Sequence, residues 1–162
     1  MQALAPLLEQ RSTLEDPARV LVTASIAGLI PGTLGKHATY GYAASKAAVI
    51  HLVKNLALDL GRQRRHVLVN AIAPGFFPSR MSNGLLELGG GAERMARAVP
   101  GGRLGRGEDF AAAVVWLGSR AGSHVDGAVI VLDGGASLGG GMGGGVEEEE
   151  GGAAQGAFRA KL

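Results

Sequence analysis

Three short segments of this chain are continuously apolar and rich in β-branched residues. They are residues 19–23 (RVLVT), 66–72 (HVLVNAI) and 127–132 (GAVIVL). Continuously apolar strands are typical of sheets that are covered on both faces, whereas alternating strands keep one face in water. Pro74-Gly75 follows the second segment and Asp133-Gly134-Gly135 closes the third. The pattern predicts three buried strands.

Apolar residues at helical spacing fill much of the chain between these strands. The strongest periodicity covers residues 39–60, and Gly61 is expected to end that helix. Weaker periodicities predict short helices at residues 2–10, 82–88, 91–98 and 108–117. The glycine-rich stretch at residues 24–38 is expected to be a loop with one helical turn.

Helices and strands alternate along the chain, which favours an α/β fold. Such an order predicts a doubly wound parallel sheet that is covered by helices and connected by right-handed crossovers. Ligands of these sheets bind beyond the carboxyl ends of the strands. The loops that follow Thr23, Ile72 and Leu132 are therefore the places to look for a site.

The end of the chain differs in composition from the rest. From Gly139 onward the sequence reads GGGMGGGVEEEEGGAAQGAFRAKL. Such a segment buries too little apolar surface to offset the entropy that it loses on ordering. We predict a globular domain at residues 1–138 and a flexible low-complexity tail at residues 139–162.

Composition argues against several classes of function. Cysteine is absent and the four histidines show no metal-ligand spacing, so no metal site is predicted. We expect a cytoplasmic protein without membrane association, because no apolar run reaches spanning length and the first residues do not resemble a secretory leader. The basic cluster Arg62, Arg64, Arg65 and His66 is interpreted as a solvated helix end, since nucleic-acid binding would require more basic and aromatic residues.

Tyr42 and Lys46 are four residues apart at the start of the long predicted helix, a spacing that places both side chains on one face. An ammonium group near a phenol favours the phenolate, and such a tyrosine can exchange a proton in catalysis. The spacing also fits an ordinary interior tyrosine beside a surface lysine. Ser25 follows the first predicted strand, where its hydroxyl could bind a substrate carbonyl or simply cap a turn.

The loop after the second strand adds further polar groups. Its Pro74-Gly75 turn exposes backbone amides, and Ser79 contributes a hydroxyl, which together suit an amide or phosphate ligand. A plain strand-ending turn would contain the same residues. A Ser-His-Asp hydrolase is disfavoured, because Ser25 in TASIAG does not fit the G-x-S-x-G turn that presents a serine nucleophile.

Four segments, taken together and in order, resemble the short-chain dehydrogenase/reductase family. They are VLVTASIAGL, YAASKAAVIHLVKNLALDL, VLVNAIAPGFFPSRM and GAVIVLDGG, and they cover residues 19–135. The residues of these segments are most similar to those of the branch that reduces 3-oxoacyl thioesters and related ketones. The resemblance implies a partial Rossmann-like fold that comprises the last three strands and their flanking helices.

The resemblance also implies a role for each catalytic residue. Ser25 would orient and polarise the substrate carbonyl. Tyr42 would be the general acid in reduction and the general base in oxidation. Lys46 would assist Tyr42 and hydrogen-bond the ribose of the nicotinamide cofactor. A hydride would then pass between the cofactor and the carbonyl carbon of a small carbonyl or alcohol substrate.

Other implied cofactor contacts fall on the loop after the second strand. The nicotinamide carboxamide would meet Pro74, Gly75, Phe77 and Ser79, the last of which stands where the family usually has threonine. The implied cofactor is NADP or NAD, with NADP preferred.

Two departures from the family pattern are visible. No G-x-x-x-G-x-G precedes Ser25, so the sequence lacks the N-terminal nucleotide-binding βαβ half and the catalytic asparagine that the family carries there. The separation between Ser25 and Tyr42 is also longer than usual, which implies a small insertion near Gly32 to His37.

Two hypotheses of different class follow. The first is a truncated NAD(P)-dependent oxidoreductase that uses the Ser-Tyr-Lys mechanism. The second is a catalytically inactive fragment that acts as an interaction or dimerisation module. Family members commonly build subunit interfaces from the tyrosine-bearing helix and the last strand, which implies a homo-oligomer with Leu52 and Leu56 as candidate contacts. Whether the chain is an enzyme stays open at this point.

Overall fold

The computed structural model describes residues 3–31, 39–80 and 82–139 of the chain. The tail predicted for residues 139–162 lies outside these ranges except for its first residue, and so does the insertion predicted near Gly32 to His37. The predicted boundary between domain and tail therefore stays a prediction.

The described residues form one parallel sheet of three strands, in the order β1-β2-β3. The strands are β1 (Ala18–Thr23), β2 (Val67–Pro74) and β3 (Val129–Leu132). The register pairs Val20 with Val69 and Ala71 with Val129. The central strand β2 is buried along most of its length, which explains its continuously apolar sequence. The α/β fold with a parallel sheet is thus confirmed.

Five helices occur within the described ranges. They are α1 (Ala5–Glu9), α2 (Tyr40–Arg62), α3 (Asn83–Leu88), α4 (Ala92–Ala98) and α5 (Gly107–Gly118). Each lies where the periodicity predicts a helix, and the expected helical turn after β1 is a 3₁₀ turn at Ile26–Gly28. Among the described residues, no helix combines the length and the apolar character that a membrane span requires.

The two longest helices cover opposite faces of the sheet. Apolar residues of α2, including Val53 and Ala57, pack on the face of β2 that Val69 and Ala71 present. On the other face, Leu117 of α5 and its neighbours pack against Ile72. Each face of the sheet therefore has its own apolar core.

This arrangement decides the handedness of the crossovers. Both connections step across the sheet in the same direction, from β1 to β2 and from β2 to β3. Because α2 and α5 lie on opposite faces, the two crossovers have opposite hands. The expectation of right-handed crossovers is therefore wrong for one of them. The second connection runs through α3, α4 and α5, and its length gives the chain room to return on the other face.

The end of α2 also differs from the prediction. Gly61 stays helical and the helix continues to Arg62, so the expectation that Gly61 ends it is wrong. The left-handed conformation falls instead on Arg64, with a φ of 53°. Backbone hydrogen bonds close this turn, from the Arg64 N–H to the Gly61 carbonyl at 3.0 Å and from the Arg65 N–H to the Leu60 carbonyl at 3.1 Å. The Arg65 guanidinium also lies 2.7 Å from the Glu9 carboxylate of α1.

The two leucines considered for subunit contacts have different surroundings. Leu52 is 53% exposed. Leu56 packs partly against the core beneath α2. Of the two, Leu52 presents the larger apolar surface to a partner.

Candidate active site

Strand β1 delivers Ser25 to the carboxyl edge of the sheet. Its side chain is buried, and its hydroxyl oxygen accepts a hydrogen bond from the Ala27 backbone N–H at 3.2 Å. That bond caps the 3₁₀ turn. Ser25 is therefore a turn cap, as one interpretation of the sequence held, and also a hydroxyl at the edge where ligands bind.

Helix α2 places Lys46 against the end of β1. Its Nζ donates a hydrogen bond to the Thr23 carbonyl at 2.9 Å, and the same atom lies 5.6 Å from the centroid of the Tyr42 ring. A cation at that distance is attracted to the negative face of the ring. The two side chains lie together, as their spacing indicates, and the ammonium is fixed between strand and tyrosine.

Gly28 sets how closely the Ser25 turn approaches α2. A β-carbon at this position would come within 2.6–2.9 Å of backbone atoms of Lys46 and Ala47, which real atoms do not tolerate. Because glycine has no β-carbon, the turn lies directly on the helix backbone. Ser25 is thereby held next to the part of α2 that carries the lysine.

A cavity of about 870 Å³ opens at this edge of the sheet. Ser25, Tyr42 and Lys46 all line it, and Tyr42 is 38% exposed. Much of the remaining wall is apolar and includes Ile26 and Met95. A mostly apolar cavity with a few convergent polar groups is typical of small-molecule sites.

The loop after β2 forms a second wall of the same cavity. Pro74, Gly75 and Phe77 line it. The ring of Phe77 meets Phe110 edge to face, with the ring centroids 6.1 Å apart. The N–H of Gly75 donates to the Leu132 carbonyl at 2.8 Å, which ties the loop to the end of β3. The structure thus brings the predicted contacts at residues 74, 75 and 77 to the predicted catalytic residues.

Ser79 also lines the cavity, but a neighbour engages its hydroxyl. The hydroxyl oxygens of Ser79 and Ser82 lie 3.1 Å apart, and the Ser79 backbone N–H donates to the Ser82 oxygen at 2.7 Å. A ligand at Ser79 would therefore share that hydroxyl with Ser82. A serine just before a short helix is a capping pattern, and this signal could have pointed to Ser82.

Several further lining residues were not predicted, including two apolar side chains on helices. Met95 belongs to α4 and is buried, and Phe110 lies in the first part of α5. Both are apolar residues at helical spacing, for which the sequence suggests a core position. No sequence signal separates such residues from the rest of a core.

The third predicted loop has a different place. Asp133 and the glycines that follow it lie behind Gly75, so that a β-carbon on Gly75 would come 2.6 Å from the Asp133 β-carbon. Of the three predicted loops, those after β1 and β2 line the cavity, and the loop after β3 supports the loop after β2.

A second, shallower depression of about 480 Å³ lies towards the other end of α2. Lys54, Leu58 and Arg62 line it together with Asp126. The Asp126 carboxylate already accepts a hydrogen bond from the Val69 backbone N–H at 2.8 Å. The predicted catalytic residues line the larger cavity and not this depression.

Known proteins match both the sequence and the elements around the cavity. A family model described as enoyl-(acyl carrier protein) reductase matches residues 1–137. The rhamnolipids biosynthesis 3-oxoacyl-[acyl-carrier-protein] reductase of Pseudomonas aeruginosa is 41% identical over 138 residues, which are 85% of this chain and 52% of that protein. The short-chain dehydrogenase/reductase PhomF' of Diaporthe leptostromiformis is 37% identical over 141 residues, covering 82% of this chain and 46% of that protein. The chain belongs to the short-chain dehydrogenase/reductase family.

A solved structure shares the fold of this short-chain dehydrogenase/reductase chain. The Pseudomonas aeruginosa RhlG/NADP active-site complex matches with a TM-score of 0.72 at 40% identity, covering 83% of this chain and 52% of that chain. The chain spans about half the length of the relatives that it matches. The family match at residues 1–137 includes the whole of the candidate active site.

Proposed function

We propose that this short-chain dehydrogenase/reductase carries the proton-transfer site of an NAD(P)-dependent oxidoreductase. Its reaction would reduce a carbonyl or oxidise the corresponding alcohol. The observation that carries the proposal is the meeting of Ser25, Tyr42 and Lys46 in one largely apolar cavity at the carboxyl edge of the sheet. Each residue alone has a plain structural explanation, and their convergence in a member of this family favours chemistry.

The three residues have complementary roles in this proposal. In reduction, the Tyr42 hydroxyl gives its proton to the carbonyl oxygen as negative charge develops there, and in oxidation it takes the proton back. Lys46, with Nζ 5.6 Å from the ring centroid, places a positive charge beside the phenolate that remains.

Ser25 can bind substrate without giving up its capping bond. A hydroxyl has one donor hydrogen and two acceptor lone pairs, and the Ala27 N–H uses one acceptor position. The hydrogen remains available to a substrate carbonyl oxygen. The two interpretations of Ser25 are therefore compatible.

The residues present fit the nicotinamide end of the cofactor. The bond from Lys46 to the Thr23 carbonyl uses one of three ammonium hydrogens, which leaves donors for ribose hydroxyls. Residues 74–77 and Ser79 would hold the carboxamide. The bound cofactor supplies or accepts the hydride. We propose NADP in preference to NAD, because the similar RhlG structure is an NADP active-site complex.

The residues that line the cavity indicate which kind of substrate would fit. Ile26, Phe77 and Met95 are apolar and line the same space as the polar residues. Burial of apolar surface favours a carbonyl compound that has an apolar chain. We propose a 3-oxoacyl compound, a class supported by the name of the similar Pseudomonas aeruginosa reductase.

The test separates cofactor binding from proton transfer. Titration of the purified chain with NADPH and NADH, followed by nicotinamide fluorescence, should show saturable binding. Turnover of a 3-oxoacyl thioester should fall on the order of 100-fold or more in Tyr42→Phe, because the general acid is removed while its ring stays.

Tyr40→Phe is the matched control. Tyr40 lies two residues earlier on the same helix and is 67% exposed, so loss of its hydroxyl should leave binding and turnover unchanged. Absence of binding at millimolar cofactor would overturn the proposal for this chain, and a stable homo-oligomer in that case would favour the interaction-module hypothesis. Equal turnover in Tyr42→Phe and wild type would overturn the role of Tyr42.

A further inference from the structure

A tight turn follows β3, and the carboxylate of Asp133 holds it. Its oxygens accept hydrogen bonds from the backbone N–H groups of Gly135 at 2.9 Å and Ser137 at 2.7 Å. Burial raises the pKa of the Asp133 carboxyl, but hydrogen bonds from Ser137 and Gly135 outweigh that effect and keep the pKa below its usual value. Residues 133–137 are called the Asp133 turn below.

The loop after β2 rests on one side of this turn. A β-carbon on Gly75 would come 2.6 Å from the β-carbon and 2.9 Å from the α-carbon of Asp133. Such distances mean that the Gly75 backbone touches Asp133 without any intervening side chain. Movement of Asp133 therefore moves the loop that carries Phe77.

The segment after α4 rests on the other side. The Gly101 N–H donates to the Gly134 carbonyl at 2.8 Å. A β-carbon on Gly134 would come 2.8 Å from Val99, and one on Gly135 would come 3.3 Å from Pro100. Gly134 and Gly135 have positive φ values of 64° and 89°, a conformation that favours glycine. The turn thus supports residues 99–101, just after α4, through one backbone hydrogen bond and close contacts with the side chains of Val99 and Pro100.

One of the supported segments lines the cavity, and the other, residues 99–101, directly follows a helix that lines it. The loop after β2 contributes Gly75 and Phe77, and α4 contributes Met95. A second bond joins the two segments directly, from the Gly105 N–H to the Phe76 carbonyl at 2.9 Å. The Asp133 turn itself lies behind this wall.

We propose that Asp133 is a positioning residue that sets the relative placement of two walls of the cavity. It does so through the turn that supports Gly75 on one side and Gly101 on the other. Ser25, Tyr42 and Lys46 stand on elements that these contacts do not involve. Loss of the carboxylate should therefore disturb ligand binding more than the chemical step. This functional consequence rests on the proposed oxidoreductase function, whereas the structural part does not.

Amide hydrogen exchange tests the structural part without any ligand. In Asp133→Asn, which keeps the shape of the side chain, exchange in residues 75–80 and 99–106 should accelerate about tenfold or more, while β2 stays protected. Asp126→Asn is the matched control, because that carboxylate also accepts a backbone N–H but lies at the shallower depression. It should leave both segments unchanged. Normal protection of both segments in Asp133→Asn would overturn the proposal.

Gly101→Ala provides a milder second variant. Its new methyl would lie 3.1 Å from the Gly134 carbonyl oxygen, so it should loosen residues 99–106 more than residues 75–80. Because the Gly105–Phe76 bond couples the two segments, the deciding result is a larger acceleration in residues 99–106 than in residues 75–80, and this result decides the matter if Asp133→Asn does not fold. Unchanged exchange of residues 99–106 in Gly101→Ala would then contradict the inference.

Steady-state kinetics test the functional part. Asp133→Asn should raise the Kd for NADPH and the KM for the carbonyl substrate about tenfold and change kcat less than about twofold. A fall in kcat at constant KM would overturn the positioning role. If the wild-type chain shows no turnover, the oxidoreductase proposal fails, and the exchange measurement still decides whether Asp133 positions the two walls.

Discussion

At the carboxyl ends of the strands, Gly28 and Gly75 allow close approach between segments, whereas at the amino ends polar side chains join the segments in addition to one close glycine contact, that of Gly122 with α5. Gly28 lies on the backbone of α2, and Gly75 lies on Asp133. Gly105 lies beneath the ring of Phe77, where a β-carbon would collide with it. Close approach of this kind needs no polar side chain.

The amino ends are connected by hydrogen bonds of side chains. The Ser12 hydroxyl donates to the His66 carbonyl and accepts from the Ala18 N–H at 3.1 Å, which joins the start of β1 to the residue before β2. Asn70 and Asp126 connect β2 in the same manner to the segment that leads into β3. These polar side chains form hydrogen bonds that hold the fold together.

Under the proposed function, the carboxyl edge of the sheet binds the ligand and the amino edge contributes to stability. Where glycines make the contacts, Ser25, Tyr42 and Lys46 can face the cavity. Where hydrogen-bonded side chains make the contacts, removal of one polar partner leaves the group that it binds unpaired. Substitutions at the two edges should therefore fail for different physical reasons, through steric overlap at one and unpaired polar groups at the other.

The largest effect on stability is expected from Gly28→Ala. Its methyl would overlap three backbone atoms of α2 that cannot rotate away, so the free energy of unfolding should fall by about 3 kcal/mol. Urea unfolding followed by circular dichroism measures this loss as a lower midpoint at constant slope.

Gly61→Ala is the control for that substitution. Gly61 is helical and a β-carbon there would meet nothing within 4 Å, so alanine should stabilise the chain by about 0.5–1 kcal/mol. A Gly28→Ala protein as stable as wild type would show that close backbone contact does not govern the carboxyl edge.

Asn70→Leu should have the next largest effect. Asn70 is 1% exposed, donates to the Val125 carbonyl at 2.6 Å and accepts from the Ala128 N–H at 2.9 Å. Leucine has a similar size but leaves both backbone groups unpaired, which should cost about 2 kcal/mol. Thermal and urea unfolding give the value. Asn55→Leu, on the exposed surface of α2, should change stability by no more than about 0.5 kcal/mol. Equal effects of the two substitutions would contradict the account of the amino edge.

Much of the fold and of the candidate site could be predicted from the sequence. Continuous apolar runs gave the three strands, because their burial depends on residues close together in the chain. The rule that ligands bind at carboxyl ends placed Ser25 beside Tyr42 and Lys46. The spacing of Tyr42 and Lys46 indicated a shared helix face, and the structure adds the bond from Lys46 to Thr23.

What could not be predicted depends on contacts between distant residues. Gly61 has the usual identity of a helix-ending residue, yet the pairing of Arg65 with Glu9 accompanies a later end. The seat of Gly75 on Asp133 joins two loops that are far apart in the sequence. Local propensity contains no information on such partners.

Glu9→Gln should produce a smaller loss at the amino edge. The side chains of Glu9 and Arg65 are 35% and 39% exposed, so water screens their 2.7 Å ion pair. The free energy of unfolding should fall by no more than about 1 kcal/mol at low salt. The difference between variant and wild type should shrink in about 1 M NaCl, because salt screens the ion pair. Glu87→Gln removes an exposed carboxylate of α3 as a control for charge. A loss that persists at high salt would indicate a contact other than the ion pair.

Asp109→Asn should have the smallest effect. It removes the charge of one partner in the Arg103–Asp109 ion pair, which lies at the carboxyl edge, and so tests the comparison at that edge. Hydrogen bonds from the Arg103 guanidinium at 2.6 and 2.8 Å, followed by one from the Arg106 backbone N–H, lower the pKa of Asp109 from 3.8 to about 2. A pKa that is lower in the folded state stabilises the protein above about pH 4 and ceases to do so as the pH falls through about 2. Wild type should therefore melt slightly above Asp109→Asn at pH 7, and the two melting temperatures should converge towards pH 2.

Glu108→Gln, one residue earlier in the same turn, controls for the change in net charge. Melting temperatures of wild type and Asp109→Asn that differ by a constant amount from pH 7 to pH 2 would show that the charge of Asp109 contributes nothing to stability at the carboxyl edge.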